Sequence, residues 1–149
     1  MKLAVGSDHG GLLLKRHLCA FIEELGIEFH DFGTYSPEPV DYPDIARQVA
    51  EAVVRGECER GLLVCGTGIG MAIAANKLPG IRAALCHDTF SAVATREHNN
   101  SNILCLGERV IGPGLACVIF QAWWEGKFRA GRHARRVEKI AALEREYGR

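Results

Sequence analysis

Residues 62–70 read Leu-Leu-Val-Cys-Gly-Thr-Gly-Ile-Gly, a short apolar run that breaks into three alternating glycines. Such a run has the length and composition of a buried strand, and the glycines allow a tight turn into a helix. Strand, glycine turn and helix make half of a βαβ unit. The same alternation recurs outward in both directions. Strand-like runs fall at Leu3–Val5, Ile27–Phe32, Leu62–Cys65, Arg82–Cys86 and Ile103–Leu106. Between them, Leu12–Leu25, Asp44–Arg55, Met71–Lys77, Thr89–His98 and Leu115–Trp124 carry apolar residues three or four apart, as amphipathic helices require. The pattern predicts an α/β protein whose parallel sheet is covered on both faces. A last, polar helix over 132–147 carries Val137, Ile140, Ala141 and Leu143 on one side, a face expected to dock on the domain or on a second subunit.

The 149 residues fit one domain spanning 1–149, and 48% hydrophobic content suffices for a packed core. Eighteen basic residues balance eighteen acidic ones, so no overall field draws the chain to nucleic acid or to anionic membrane, and a bound anion must be gripped locally. No apolar run approaches membrane-spanning length. The chain opens on a strand-like segment without an apolar leader, which points to a reducing, cytoplasmic setting for its six cysteines. Cys19, Cys86, Cys105 and Cys117 read as small buried hydrophobes, and Cys58 as part of a polar loop. No CxxC pair or zinc-type Cys/His spacing occurs, so no metal site is expected. The proline-rich stretch 33–43 reads as a long surface loop, and loops of that length tend to be functional.

Ligands of open parallel sheets bind beyond the carboxyl ends of the strands. Those ends are unusually polar here. The first strand runs into Gly6, Ser7, Asp8, His9, Gly10 and Gly11, and the third into Cys65 to Gly70. The fourth leads to His87 and Asp88, the helix after it ends at His98, Asn99 and Asn100, and the fifth leads to Glu108 and Arg109. After Cys65 the glycines let backbone N–H groups converge in one concavity at a helix start, an anion hole. A cysteine at its entrance feels the positive end of the helix dipole, which favours the thiolate; the alternative is a core cysteine at a strand end. A dinucleotide fingerprint fits poorly, because the position that should be Gly or Ala is Met71 and the motif follows the third strand instead of the first. Arg132 and Arg136, four apart, project from one helix face as a fork suited to phosphate oxygens or simply as a solvated face. Asp8 reads either as a reactive carboxylate or as a helix cap.

Six ordered motifs carry a resemblance over nearly the whole chain: Gly-Ser-Asp-His-Gly-Gly at 6–11, Asp-Tyr-Pro at 41–43, Cys-Gly-Thr-Gly-Ile-Gly at 65–70, Ala-Ala-Asn-Lys at 74–77, Arg-Glu-His-Asn-Asn at 96–100, and Gly-Arg-His at 131–133 with Arg136. The sequence resembles the ribose-5-phosphate isomerase type B family, which includes galactose-6-phosphate isomerase subunits. The resemblance implies a Rossmann-like α/β/α sandwich with a five-stranded parallel sheet, and a homodimer, or a tetramer, whose active sites are shared between subunits. It implies cofactor-free, metal-independent isomerisation of a small sugar phosphate through an enediolate. Cys65 is then the proton-abstracting base, and His98, assisted by Asp8, opens the sugar ring. Phosphate falls to His9, Arg132 and Arg136 with Arg109 and His133. Thr67 joins the catalytic set through its hydroxyl, and the matched motifs add Tyr42, Asn99 and the backbone of Gly66, Gly68, Ile69 and Gly70 as substrate contacts. In one branch the base is a glutamate six positions beyond the cysteine; here that residue is Met71, so the cysteine version applies.

This chemistry agrees with the residue types. Moving a carbonyl between C1 and C2 needs a base to lift a carbon-bound proton and oriented donors for the developing oxyanion. Ribose 5-phosphate is the expected substrate. The alternatives are a six-carbon aldose phosphate, such as allose or galactose 6-phosphate, and a nucleotide-binding or regulatory module that kept the sheet and lost catalysis.

Overall fold

The structure, a computed structural model, describes residues 1–148. Five strands alternate with six helices: β1 (Lys2–Ser7), α1 (Leu12–Glu24), β2 (Glu28–Asp31), α2 (Tyr42–Val54), β3 (Arg60–Cys65), α3 (Ile69–Ala75), β4 (Ala83–Leu85), α4 (Thr89–Asn99), β5 (Ile103–Gly107), α5 (Pro113–Glu125) and α6 (Arg132–Tyr147). A short 3-10 turn, His9–Gly11, joins β1 to α1. The strands run parallel in the order β2-β1-β3-β5-β4.

The sheet carries one apolar layer on each face, which is why its central strands read as unbroken apolar runs. Leu3, Val5, Leu62, Val64, Leu104 and Leu106 pack against Leu14, Leu18 and Ile22 of α1 and Ile119, Phe120 and Trp123 of α5. Their neighbours Ala4, Leu63, Cys65, Ile103 and Cys105 pack against Ile45, Ala46 and Val49 of α2 and Met71 and Ala75 of α3. The expected α/β sandwich is therefore present.

The element ends differ in instructive ways. The outer strands β2 and β4 are shorter than the expected 27–32 and 82–86, because an edge strand lacks a partner on one side. Helix α2 begins at Tyr42, two residues before the expected Asp44, and α5 at Pro113 instead of Leu115. In both, a proline occupies the first turn, where its missing N–H leaves no bond unmade. Helix α3 spans Ile69–Ala75, starting inside the glycine motif and not after it. Cys58, expected in a polar loop, is buried in the α2 layer, while Cys19 is only half-buried. Helix α6 has the expected bounds, contacts α4, and buries none of its own residues; Ile140 and Leu143 remain 42% and 56% exposed.

Candidate active site

Strands β1 and β3 are neighbours whose connections leave in opposite directions, β1 toward β2 and β3 toward the β5 side. That switch opens a crevice beyond their carboxyl ends. The two loops that follow the strands meet there: Asp8 donates its N–H to Val64 O at 3.3 Å, and a Cβ on Gly10 would lie 3.4 Å from Gly66 N. The result is a cavity of about 410 Å³.

Cys65 lines this cavity at the end of β3 and is 5% exposed. Its Sγ accepts the N–H of Gly68 at 3.0 Å. The sulfur is thus held by a backbone donor at the start of α3, an arrangement that suits a sulfur anion. Gly68 makes this contact from a left-handed conformation, φ +77°, in a space where a Cβ would come within 2.6 Å of Leu85. Thr67 also lines the cavity, and its Oγ1 accepts the Ile69 N–H at 3.3 Å. Tyr42, at the first turn of α2, lies against Gly70 so closely that a Cβ there would stand 2.6 Å from the ring. Arg109 lies over Gly66, its Cζ 3.4 Å from where a Cβ would be. The structure therefore brings Asp8, Tyr42, Cys65, Gly66, Thr67, Ile69, Gly70 and Arg109 together. Ile73 completes the lining; sequence reasoning passed over it, although it stands one turn from Ile69 on the same face of α3.

Asp8 does cap a helical turn, its Oδ1 accepting the Gly11 N–H at 3.1 Å, and it lies in the cavity as well. The two readings of Asp8 are compatible. His9 is exposed beside it, and its Nδ1 accepts the Val40 N–H at 3.2 Å.

The remaining expected residues lie elsewhere. Helix α4 runs back from the carboxyl end of β4 to the start of β5, so its last residues sit at the amino edge of the sheet. Cys65 is level with Gly107, four residues beyond Ile103, a separation of about 13 Å along the strand at roughly 3.3 Å per residue. His98 and Asn99 thus belong to the opposite edge from Cys65, which corrects their grouping with the strand-end residues. There the His98 ring stacks on His133 of α6, centroids 4.2 Å apart and planes at 10°. Partial burial, followed by the cationic company of His98, Arg132, Arg136 and Arg129, pulls the His133 pKa below its ordinary value. Arg132 and Arg136 are exposed, and neither meets a carboxylate among the described residues. Asn99 borders a second, larger cavity of about 650 Å³ between α6 and the β4 edge.

Several thiols outside the cavity are shifted by burial. Burial raises the thiol of Cys86 to about 11 and that of Cys19 to about 12, and it pushes Cys105 up as well. These thiols stay protonated and inert. His87, at the end of β4, accepts the Gly107 N–H on Nε2 at 3.1 Å, and burial lowers its pKa. Among the described residues no three His, Cys, Asp or Glu side chains converge as metal ligands, and no helix is long and apolar enough to cross a membrane.

Comparison with known proteins gives one consistent result. Residues 3–140 match the Ribose/Galactose Isomerase family. Ribose-5-phosphate isomerase B of Escherichia coli is 49% identical over 143 residues, 96% of each chain. D-erythrulose-4-phosphate isomerase of Pectobacterium atrosepticum is 44% identical over 148 residues, covering 98% of this chain and 97% of that one. The solved structure of Clostridium thermocellum ribose-5-phosphate isomerase B superimposes with a TM-score of 0.98 at 54% identity over 99% of each chain. With the parallel sheet, the switch-point cavity and the six motifs all in place, the chain belongs to the ribose/galactose isomerase family.

Proposed function

We propose that this protein interconverts ribose 5-phosphate and ribulose 5-phosphate by proton transfer through an enediolate, with Cys65 as the base and no metal. The observation that carries this reading is the Gly68 N–H aimed at Cys65 Sγ, 3.0 Å away, inside a cavity that also holds Asp8, Thr67 and Arg109. In the aldose-to-ketose direction the thiolate removes the C2 proton of the open-chain sugar and the same group returns it to C1, while the O2 hydroxyl proton passes to O1 of the enediolate, leaving the carbonyl at C2. The N–H groups after Cys65 and the Thr67 hydroxyl face the oxygens on which negative charge develops. His98 moves the proton that opens the furanose ring, and Asp8 assists. His9, Arg109, Arg132, His133 and Arg136 grip the phosphate, and Tyr42 and Asn99 contact the sugar.

The separation of Cys65 from His98 within one chain supports a homodimer with shared sites. One copy supplies the cavity at its carboxyl edge, and the second supplies His98, Asn99 and the α6 arginines. The unburied apolar stripe of α6, Ile140 and Leu143, suits packing against that second copy. The six free cysteines suit a cytoplasmic setting.

A four-carbon substrate is a second reading, favoured by the Pectobacterium relative, whose name specifies erythrulose 4-phosphate. A panel of four-, five- and six-carbon aldose phosphates, assayed with chelator and ranked by kcat/KM, tests the assignment. Ribose 5-phosphate is expected to lead, and turnover is expected to survive the chelator. Cys65→Ala should lower kcat by roughly 10²- to 10⁴-fold with little change in substrate binding. A wild-type kcat in that variant overturns the role of Cys65.

A further inference from the structure

One lysine is buried outside the cavity. Lys15, on the inner face of α1, is 1% exposed. Its ammonium donates to Asp31 Oδ1 at 2.8 Å and to Thr34 O at 2.5 Å, and sits 5.2 Å from the centroid of the Tyr35 ring. The same Asp31 Oδ1 accepts the Gly33 N–H at 2.8 Å, and the Asp31 carbonyl accepts the Tyr35 hydroxyl at 2.7 Å. One ammonium therefore gathers residues 31–35, the root of the loop that leads to α2. Taking an ion pair out of water is weak evidence for stability, because desolvation offsets most of the attraction. A buried pair of this kind instead fixes a geometry.

That geometry leads to the site. Gly33 O accepts the Ser7 N–H and Thr34 donates to Ser7 O, both at 2.6 Å, so the loop root is tied to the residue before Asp8 and His9. The far end of the loop returns to the same place, where Val40 donates to His9 Nδ1 and Tyr42 closes on Gly70. With its Nδ1 lone pair accepting, a neutral His9 ring carries its proton on Nε2 and offers that N–H outward. We propose that Lys15 is a positioning residue: through Asp31 and Thr34 it straps the 33–41 loop so that Val40 holds His9 in a single orientation and tautomer at the cavity mouth. Lys15 itself does not line the cavity. The link to catalysis rests on the reading of His9 as a phosphate contact.

The test is ¹⁵N NMR of the histidine rings in the full-length protein, with the His9 signals assigned through a His9→Asn variant. The wild-type His9 should show one tautomer, protonated at Nε2. In Lys15→Met, which keeps the apolar stem and removes the charge, that signature should collapse to a tautomer mixture. Leu18→Ala, a core truncation on the same helix, should lower the melting temperature and leave the His9 signature unchanged. Should Lys15→Met fail to fold, Asp31→Ala removes the shared acceptor from the strap's more exposed end and is held to the same expectation. A wild-type His9 signature in the folded strap variant overturns the proposal. Kinetics separate the two readings: if His9 grips phosphate, the strap variant also raises KM by about tenfold, the worth of one hydrogen bond, and this effect disappears in the His9→Asn background. A changed His9 signature with an unchanged KM supports the strap and overturns the phosphate role of His9.

Discussion

At the scale of the residue, the site depends on positions that tolerate no side chain. Gly68 adopts φ +77° and has no room for a Cβ beside Leu85 and the Leu106 backbone, while its N–H holds the Cys65 sulfur. Gly68→Ala should therefore cost about 1–3 kcal/mol in urea unfolding and lower kcat, because strain and clash move the donor off the sulfur. Gly112→Ala, where a Cβ would meet nothing within 4 Å and φ is −78°, is the control and should change neither. His87 supplies a second expectation. Its Nε2 accepts a backbone N–H, and burial lowers its folded pKa below the ordinary 6.5. The unfolded chain thus takes up the proton first, so this stabilisation is present above about pH 6.5 and is lost as pH falls through the depressed folded value. His133 shifts in the same direction and adds to the effect. Urea midpoints should fall between about pH 7.5 and about pH 5, and His87→Asn should flatten the fall.

At the scale of the element, helix starts are secured by partners far along the chain. The N-cap of α1 is Gly11, which has no side chain to offer. Glu108, at the end of β5, instead accepts the Leu14 N–H at 2.7 Å and puts a carboxylate at the positive end of the helix. Glu108→Ala should cost about 0.5–2 kcal/mol, as loss of a local cap does, with Glu108→Gln losing less because an acceptor remains. Equal destabilisation of the two variants would assign the effect to charge alone. The carboxyl end of α4 is held similarly. Arg96 donates to Ser101 O and to Asn100 Oδ1, and Ser101 Oγ accepts the Trp123 Nε1–H at 2.9 Å, which fixes the turn directly after His98 and Asn99.

At the scale of the whole molecule, the separation of Cys65 from His98 within one chain underlies the proposal that two copies share each site. Subunit mixing tests it. Neither Cys65→Ala nor Arg136→Ala alone should turn over substrate well, yet mixed dimers should contain one site built from the two unaltered halves and one carrying both lesions. Activity recovered on exchange should therefore approach about half of the wild-type value per mixed dimer. No recovery after verified exchange would place both residues in a site of one chain. A surface arginine of the same helix, Arg145, already pairs with Glu138 at 2.7 Å and should tolerate replacement by Ala with little change in KM.

The sequence by itself determined the layered parallel sheet, because apolar runs of strand length alternating with helical spacing have few other ways to bury both faces. It also identified Cys65 and the glycines after it, because a thiol followed by three glycines in five residues is a local chemical pattern that needs no distant partner to be read. Element ends were less legible. A proline that breaks a helix and one that opens it look alike until the first turn is seen, as at Pro43 and Pro113. Only the tertiary structure decided which of the recognised residues meet within one chain. Whether His98 stands beside Cys65 depends on the direction in which α4 returns along the sheet, and periodicity carries no direction. The same holds for Lys15, Glu108 and Val40: each acts on a residue 16 to 94 positions away. Contacts over such separations exist only once the sheet has brought the strand ends together.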